Sequence, residues 1–419
     1  MAENRNIVVL GGSFGGLMTA HYTIQHLLPS LNAKKDARYK VYLISPSSDF
    51  YFRIASPRVA TSTKLMPAEK IFFDLHEGFK RYPENEFSFI QAPATGLDPS
   101  SRTVFYKRSE YLGEESLTYH ALVVATGSRT FEPAYSQSID KDTTLNAIKS
   151  MNRRISSAKD VLIVGGGPTG VEHAGELGEL LNGKPGWFST PTPKANITLV
   201  TASNQLLNPL RPAIGKIAEE KLKKLGVNVL YNTRVANHTE GSNGRTTVTL
   251  AKGDTLEVDV YVDAHGVQPN SEFLPETLLT DKGYLKTNSQ TLRVEKAGPR
   301  VYSIGDVASF SRNKVLDIYD AFPVLVVNMR RDLLSYNAAD PGALPVGKDR
   351  VFKPNETEMM IAPIGSAGGV GAIFGWKVPN WFVWLIKSRD FMISMGTKEL
   401  INGEKVKKEI VWTKEEAVY

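Results

Sequence analysis

Two stretches of this 419-residue chain repeat one pattern: an apolar run, a cluster of glycines, then a segment rich in small and apolar residues. The first is NIVVLGGSFGGLMTAHYTIQHLL from Asn6, and the second is DVLIVGGGPTGVEHAGELGELL from Asp160. Each is followed by a further apolar run, KVYLISP from Lys40 and NITLVTA from Asn196. Parallel strands need a crossover between them, and a glycine turn opening a helix supplies one, so each stretch predicts a βαβ unit. The chain is therefore expected to be α/β, with two nucleotide-binding halves.

Further strands ending in small-residue turns, ALVVATGSR at Ala121–Arg129 and VDVYVDAHGVQPN at Val258–Asn270, follow the two units at equivalent distances. A third, PRVYSIGDVA at Pro299–Ala308, comes without a new glycine cluster before it. That order predicts a first Rossmann-like domain, 1–128 and 287–345, interrupted by a second, 129–286. Past a Pro- and Gly-bearing connector, 346–419 is expected to form a small α+β domain with a charged tail. Within it, Met359–Trp376 carries no charge, but Gly365, Gly368, Gly369, Gly371 and Gly375 would each weaken a helix by roughly 1 kcal/mol relative to Ala, so two strands around a turn are expected there.

The second glycine cluster matches G-x-G-x-x-G through Gly165, Gly167 and Gly170. Gly165 permits the sharp turn, Gly167 lets a pyrophosphate approach the backbone, and Gly170 lets helix and strand pack closely. Pro168 and Thr169 open the helix, whose free N–H groups favour phosphate. The first cluster reads Gly11, Ser13, Gly16, with Gly12 and Gly15 keeping the loop compact. Neither following strand ends in the acid that would hold a ribose hydroxyl: Ser45 stands there in the first, and Thr201, Ala202 and Ser203 in the second. NADH and NADPH are left undivided, since no carboxylate repels a 2′-phosphate and the nearest downstream arginine is Arg211.

Taken together, the two fingerprints, the ATG turn at Ala125–Gly127 and the YSIGDVA run resemble the FAD-dependent pyridine nucleotide-disulfide oxidoreductase superfamily. SDFYFRIASPRVA near Asp49, the GVEHAGEL helix and KSRDFMIS near Lys387 are further similar to its apoptosis-inducing-factor-like branch, the ferroptosis suppressor proteins and their fungal relatives, with type II NADH dehydrogenases as cousins. The resemblance implies FAD in the first domain and NADH or NADPH in the second. It places Asp306 on the flavin ribityl chain, although an aspartate here is also a natural helix cap. It gives Arg58 a pyrophosphate contact and adds Ala94, Thr126, Gly127 and Gly266 to the cofactor-binding set. It implies that Glu172 faces the flavin and nicotinamide rings, with Lys387 as its partner. The other reading is that Glu172 only orients nicotinamide and Lys387 is a surface charge.

The chain has no cysteine, so the redox-active cysteine pair of disulfide reductases and the sulfenate of related peroxidases are both excluded. Hydride passed from nicotinamide to flavin N5 must leave for a quinone, another small organic acceptor or oxygen. A specialised-pathway flavoenzyme acting on one metabolite, and a redox-linked signalling flavoprotein, remain as alternatives. The net charge of +6 is dispersed rather than gathered in a stripe, which argues against a nucleic-acid partner. The seven histidines show no metal-ligand spacing, and His265 either touches the nicotinamide or is packed. No signal, transit or myristoylation pattern is visible at the amino terminus, where Ala2 stands, so an intracellular, cytoplasmic protein is expected. Trp376, Trp381, Phe382 and Trp384 beside Lys377, Lys387 and Arg389 suit either peripheral membrane contact or a packed domain interface. The oligomeric state has no sequence signal.

Overall fold

The computed structural model describes residues 3–109, 111–186 and 191–417. Ala2 and the final residues of the charged tail, Val418 and Tyr419, lie outside them. Nine strands make the two main sheets: β1 (Glu3–Leu10), β2 (Ala37–Ser45), β3 (Phe87–Gln91), β4 (Ala121–Val124), β5 (Asp160–Val164), β6 (Asn196–Val200), β7 (Val227–Leu230), β8 (Val260–Asp263) and β9 (Val301–Ser303). All pairings in both sheets are parallel. The first sheet runs β9-β4-β1-β2-β3 and the second β7-β6-β5-β8. The first thus draws strands from both sides of the second in the sequence.

In each sheet the first strand of the βαβ unit lies between its second strand and one reached later. This is the topological switch point, where the loops at the carboxyl ends diverge and leave a crevice for a ligand. The inner stretches Ile7–Leu10, Ala121–Val124 and Val161–Val164 are continuously apolar and buried because both faces are covered. Ile7, Val8 and Val9 are wholly buried, with Ile7 and Val9 in the main core and Val8 in a second cluster beneath Leu97 and Val104. Helix α1 (Phe14–Tyr22) follows the first fingerprint; α2 (Ser56–Thr61), α3 (Pro168–Asn182), which follows the second, and α4 (Val315–Leu334) complete the frame around the crevices.

The two crossings between the sheets are tied together. Ser128–Arg129 pairs antiparallel with Gln268–Pro269, and Thr126 Oγ1 donates to the Asn270 carbonyl at 2.7 Å while Asn270 Nδ2 donates to the Thr126 carbonyl at 2.9 Å. The expected hairpin is present as Met360–Pro363 paired antiparallel with Gly369–Ile373. Among the described residues no helix is long and apolar enough to cross a membrane.

Candidate functional site: two glycine cradles and a paired acidic helix

The fingerprints take the same shape. Gly11 (φ +110°) and Gly165 (φ +129°) hold backbone that L residues rarely adopt, and a Cβ on either would overlap a carbonyl oxygen, of Ala125 or Ala264, in the turn beyond the sheet's fourth strand. A Cβ on Gly16 or Gly170 would likewise overlap the carbonyl of Gly11 or Gly165, so these glycines let each helix seat against its turn. Gly167 differs: no atom lies within 4 Å of where its Cβ would be. Nothing in the packing demands glycine there, and what it leaves is open space before the start of α3. Neither α1 nor α3 has a side-chain cap or an acidic residue in its first turn, so the N–H groups of both remain available to an anion.

At the first cradle Gly12 packs against Ser45, whose Oγ would lie 2.8 Å from an added Cβ, so Ser45 shapes the loop. Gly15 packs against Ile304 in the same way, at 3.0 Å. Asp306 accepts a hydrogen bond from Ser128 Oγ at 2.8 Å and lies 3.7 Å from the Arg53 guanidinium. It therefore sits beside the ATG turn, where Gly127 (φ +67°) leaves open space. Ala94 begins the strand Ala94–Asp98, and Gly266 (φ +63°) closes the turn after β8. His265 is bonded to Asp263 and stacks on Phe131, with centroids 5.4 Å apart; it is half exposed rather than packed.

The most informative surface is one face of α3. Glu172, Glu176 and Glu179 recur at i, i+4 and i+7, and each is engaged from outside the helix. Glu172 accepts from Lys387 Nζ at 2.5 Å, and the same ammonium donates to the Ile361 carbonyl at 3.3 Å. Glu176 receives a bidentate pair from Arg58, 2.9 Å from Nε and 2.7 Å from Nη2. Glu179 accepts from the Ser366 backbone N–H at 2.8 Å. Burial pushes the Glu172 carboxyl above the usual range, and Lys387 pulls it part of the way back. Glu176 is raised by burial in the same way, opposed by Arg58.

Arg58 calls for a correction. The resemblance directs it to a phosphate, whereas its guanidinium is taken up by Glu176, the Ser388 carbonyl at 2.7 Å and the ring of Phe391 at 4.5 Å. Arg53, five residues earlier in the same segment, instead lies beside Asp306 and donates to the Ser128 carbonyl at 3.0 Å. Lys387 is not a surface charge either, being 11% exposed. The aromatic cluster is not a packed interface: Trp376 is 79% and Trp381 63% exposed.

The sequence matches the pyridine nucleotide-disulphide oxidoreductase family over residues 5–329. The chain belongs to that family. Its relatives include the oxidoreductase phnG of Penicillium herquei, 42% identical over 402 residues and covering 93% of this chain and 94% of the relative. Human ferroptosis suppressor protein 1 is 26% identical over 410 residues, covering 94% and 95%. Among solved structures, the sulfide:quinone oxidoreductase of Aquifex aeolicus superposes with a TM-score of 0.65 at 17% identity, covering 95% of this chain and 92% of that one. Pyridine nucleotide-disulphide oxidoreductases bind FAD and NAD(P)H. The two cradles fit them, each offering a dinucleotide free helix N–H groups at a topological switch point. Yet this member has no cysteine to form the disulfide of the family's name.

Proposed function

We propose that the chain is an FAD-dependent NAD(P)H oxidoreductase that delivers electrons to a quinone-class acceptor with no sulfur relay. The observation that carries this reading is the Glu172–Lys387 pair, buried at the start of the helix opened by the second cradle, in a chain without cysteine. FAD held there would supply the two-electron redox chemistry between the nicotinamide and the acceptor. The chain's own residues bind and position. Gly11, Gly12, Ser13, Gly15 and Gly16, with Ser45, Ala94, Thr126, Gly127 and Asp306, form the FAD cradle. Gly165, Gly167, Pro168, Thr169, Gly170 and Gly266 form the nicotinamide one.

Glu172 and Lys387 hold and move the proton. Quinone reduction takes up protons as well as electrons, so a buried acid with a raised pKa next to an ammonium can give one up and recover it. Lys387 keeps the ionised carboxylate from standing uncompensated after that transfer. The same pair fixes Lys387 against the Ile361 carbonyl, so the C-terminal segment closes over α3.

The exposed aromatic surface supports contact with a lipid surface, from which a lipid-soluble quinone would be drawn. Phe374, Trp376 and Trp381 stand out beside Lys377 and Arg389, the combination of apolar rings and cations that interfacial segments use. Co-sedimentation with anionic vesicles, lost on W376S/W381S, tests that contact.

The central reading is tested on the purified protein loaded with FAD under anaerobic conditions. Bleaching of flavin absorbance by NADH or NADPH, and its return on adding a short-chain quinone, is the expected result. A protein that takes up no FAD, or whose reduced flavin ignores quinones and is reoxidised by a particular metabolite, overturns it.

A further inference from the structure

The nearest arginine downstream of β6 is not free to meet a nucleotide. Arg211 binds Glu358 through Nε at 2.8 Å and Nη2 at 2.5 Å, and also reaches the Gly375 carbonyl. The crevice at the end of β6 is completed from elsewhere. Thr201 N–H donates to the Leu230 carbonyl at 2.9 Å, Thr233 N–H to the Thr201 carbonyl at 2.9 Å, and Asn232 N–H to the Ser203 carbonyl at 3.1 Å. The segment after β7 therefore runs alongside the end of β6. Thr201 Oγ1 also lies 2.6 Å from where a Cβ on Gly166 would be, so this crevice adjoins the second fingerprint.

A cavity of about 440 Å³ opens there, lined by Ala202 and Asn232 together with Arg234, Lys252 and Asp254. Arg234 stands just before the strand Val235–Glu240 that follows β7, and Lys252 and Asp254 on the turn between Thr246–Leu250 and Thr255–Val258. Among the described residues neither the Arg234 guanidinium nor the Lys252 ammonium has a side-chain hydrogen bond or ion pair. Two cations thus face one carboxylate in a crevice outside the carboxyl end of the second strand. In dinucleotide folds that is where the adenosine ribose lies, and an acid on the strand end selects NADH while a nearby arginine accepts a 2′-phosphate. Here the strand end, Thr201-Ala202-Ser203, carries no acid.

We propose that Arg234 and Lys252 seat the 2′-phosphate of NADPH, so that the protein takes NADPH in preference to NADH. The inference rests on the nicotinamide dinucleotide reading of the second cradle. Arg234 presents a planar fork of donors to the phosphate oxygens, and Lys252 adds a point charge from the facing turn. Asp254 tempers the site: its carboxylate opposes the doubly charged phosphate.

The test is calorimetric titration of the FAD-loaded protein with 2′,5′-ADP and with 5′-AMP, which differ in the one phosphate. The wild type is expected to bind 2′,5′-ADP at least about tenfold more tightly, a difference that R234Q/K252Q abolishes with 5′-AMP binding unchanged. D254N is expected to tighten 2′,5′-ADP alone. In stopped-flow reduction of the flavin, the double variant should raise the Kd for NADPH and leave that for NADH unaltered. Equal binding of the two nucleotides by the wild type, or a preference that survives in the double variant, overturns the inference even where NADH reduces the flavin. Should neither nucleotide bind and neither dinucleotide bleach the flavin, the oxidoreductase reading fails along with it.

Discussion

Lys387 Nζ donates to Glu172 Oε1 at 2.5 Å across 215 residues of sequence, with both side chains almost out of solvent. Removing one partner leaves the other charge buried and unpaired. K387M is therefore expected to cost about 3–5 kcal/mol in unfolding free energy, and E172Q/K387M to recover most of it. Turnover separates position from chemistry. If the pair carries the proton, the double variant should still be reduced by NAD(P)H but transfer electrons to quinone at least about tenfold more slowly, since a positioned acid is worth 10²–10⁴-fold. Wild-type rates in the stable double variant would remove the proton-transfer role.

Arg58 offers a clean separation of two roles. As the partner of Glu176, its loss in R58M should destabilise the protein by about 3–5 kcal/mol, measured by chemical denaturation. As a phosphate ligand, its loss should instead weaken FAD affinity in protein that remains folded. The geometry predicts the first result, with the Kd for FAD of the folded variant unchanged and R58M/E176L more stable than R58M.

The parts of this molecule readable from sequence are those set by local rules. The βαβ units and the hairpin at Met360–Ile373 rest on period and turn chemistry within each segment, and the family assignment on a set of such short motifs taken together. The Arg58–Glu176 pair spans 118 residues, and nothing near Arg58 in the sequence marks a carboxylate as its partner. The stripe of Glu172, Glu176 and Glu179 was a usable signal, because three acids on one face of a helix that must pack on a sheet demand partners. The partners themselves were beyond reach, except for Lys387, which came through resemblance. Arg211 was nearest in sequence to the ribose site and is bound to Glu358, whereas Arg234 reaches the crevice only because the end of β7 lies beside the end of β6.

The fingerprint glycines should respond unequally to the same methyl group. In G170A the new Cβ overlaps the Gly165 carbonyl, backbone that cannot yield without moving the turn, so loss of soluble folded protein is expected. In G167A the methyl meets only open space, and stability should stay within about 0.5 kcal/mol of wild type. Its cost should fall on the nucleotide whose pyrophosphate needs that space. A KM for the nicotinamide substrate raised about tenfold, with melting temperature unchanged, is the expected signature; comparable KM values would show that no phosphate passes over Gly167.

Acid should loosen the C-terminal segment through His21. This ring is fully buried, stacked on Phe79 at 3.9 Å and hydrogen-bonded to the Ile401 carbonyl at 2.8 Å and Tyr82 Oη at 2.9 Å. Burial pushes its pKa down to about 3, against 6.5 for an ordinary histidine. In the unfolded chain His21 takes up a proton as pH falls through 6.5, while the folded protein refuses it until about 3. Its contribution to stability is therefore complete above pH 6.5 and declines below it, by about 1.4 kcal/mol per pH unit for the single proton involved. H21Q retains hydrogen-bonding capacity without a titratable ring, so the difference in unfolding free energy between wild type and variant should shift in the variant's favour from pH 7 to pH 5. Urea denaturation at each pH reads that difference directly, and a pH-independent gap would mean that His21 takes up its proton as readily in the folded protein as in the unfolded chain.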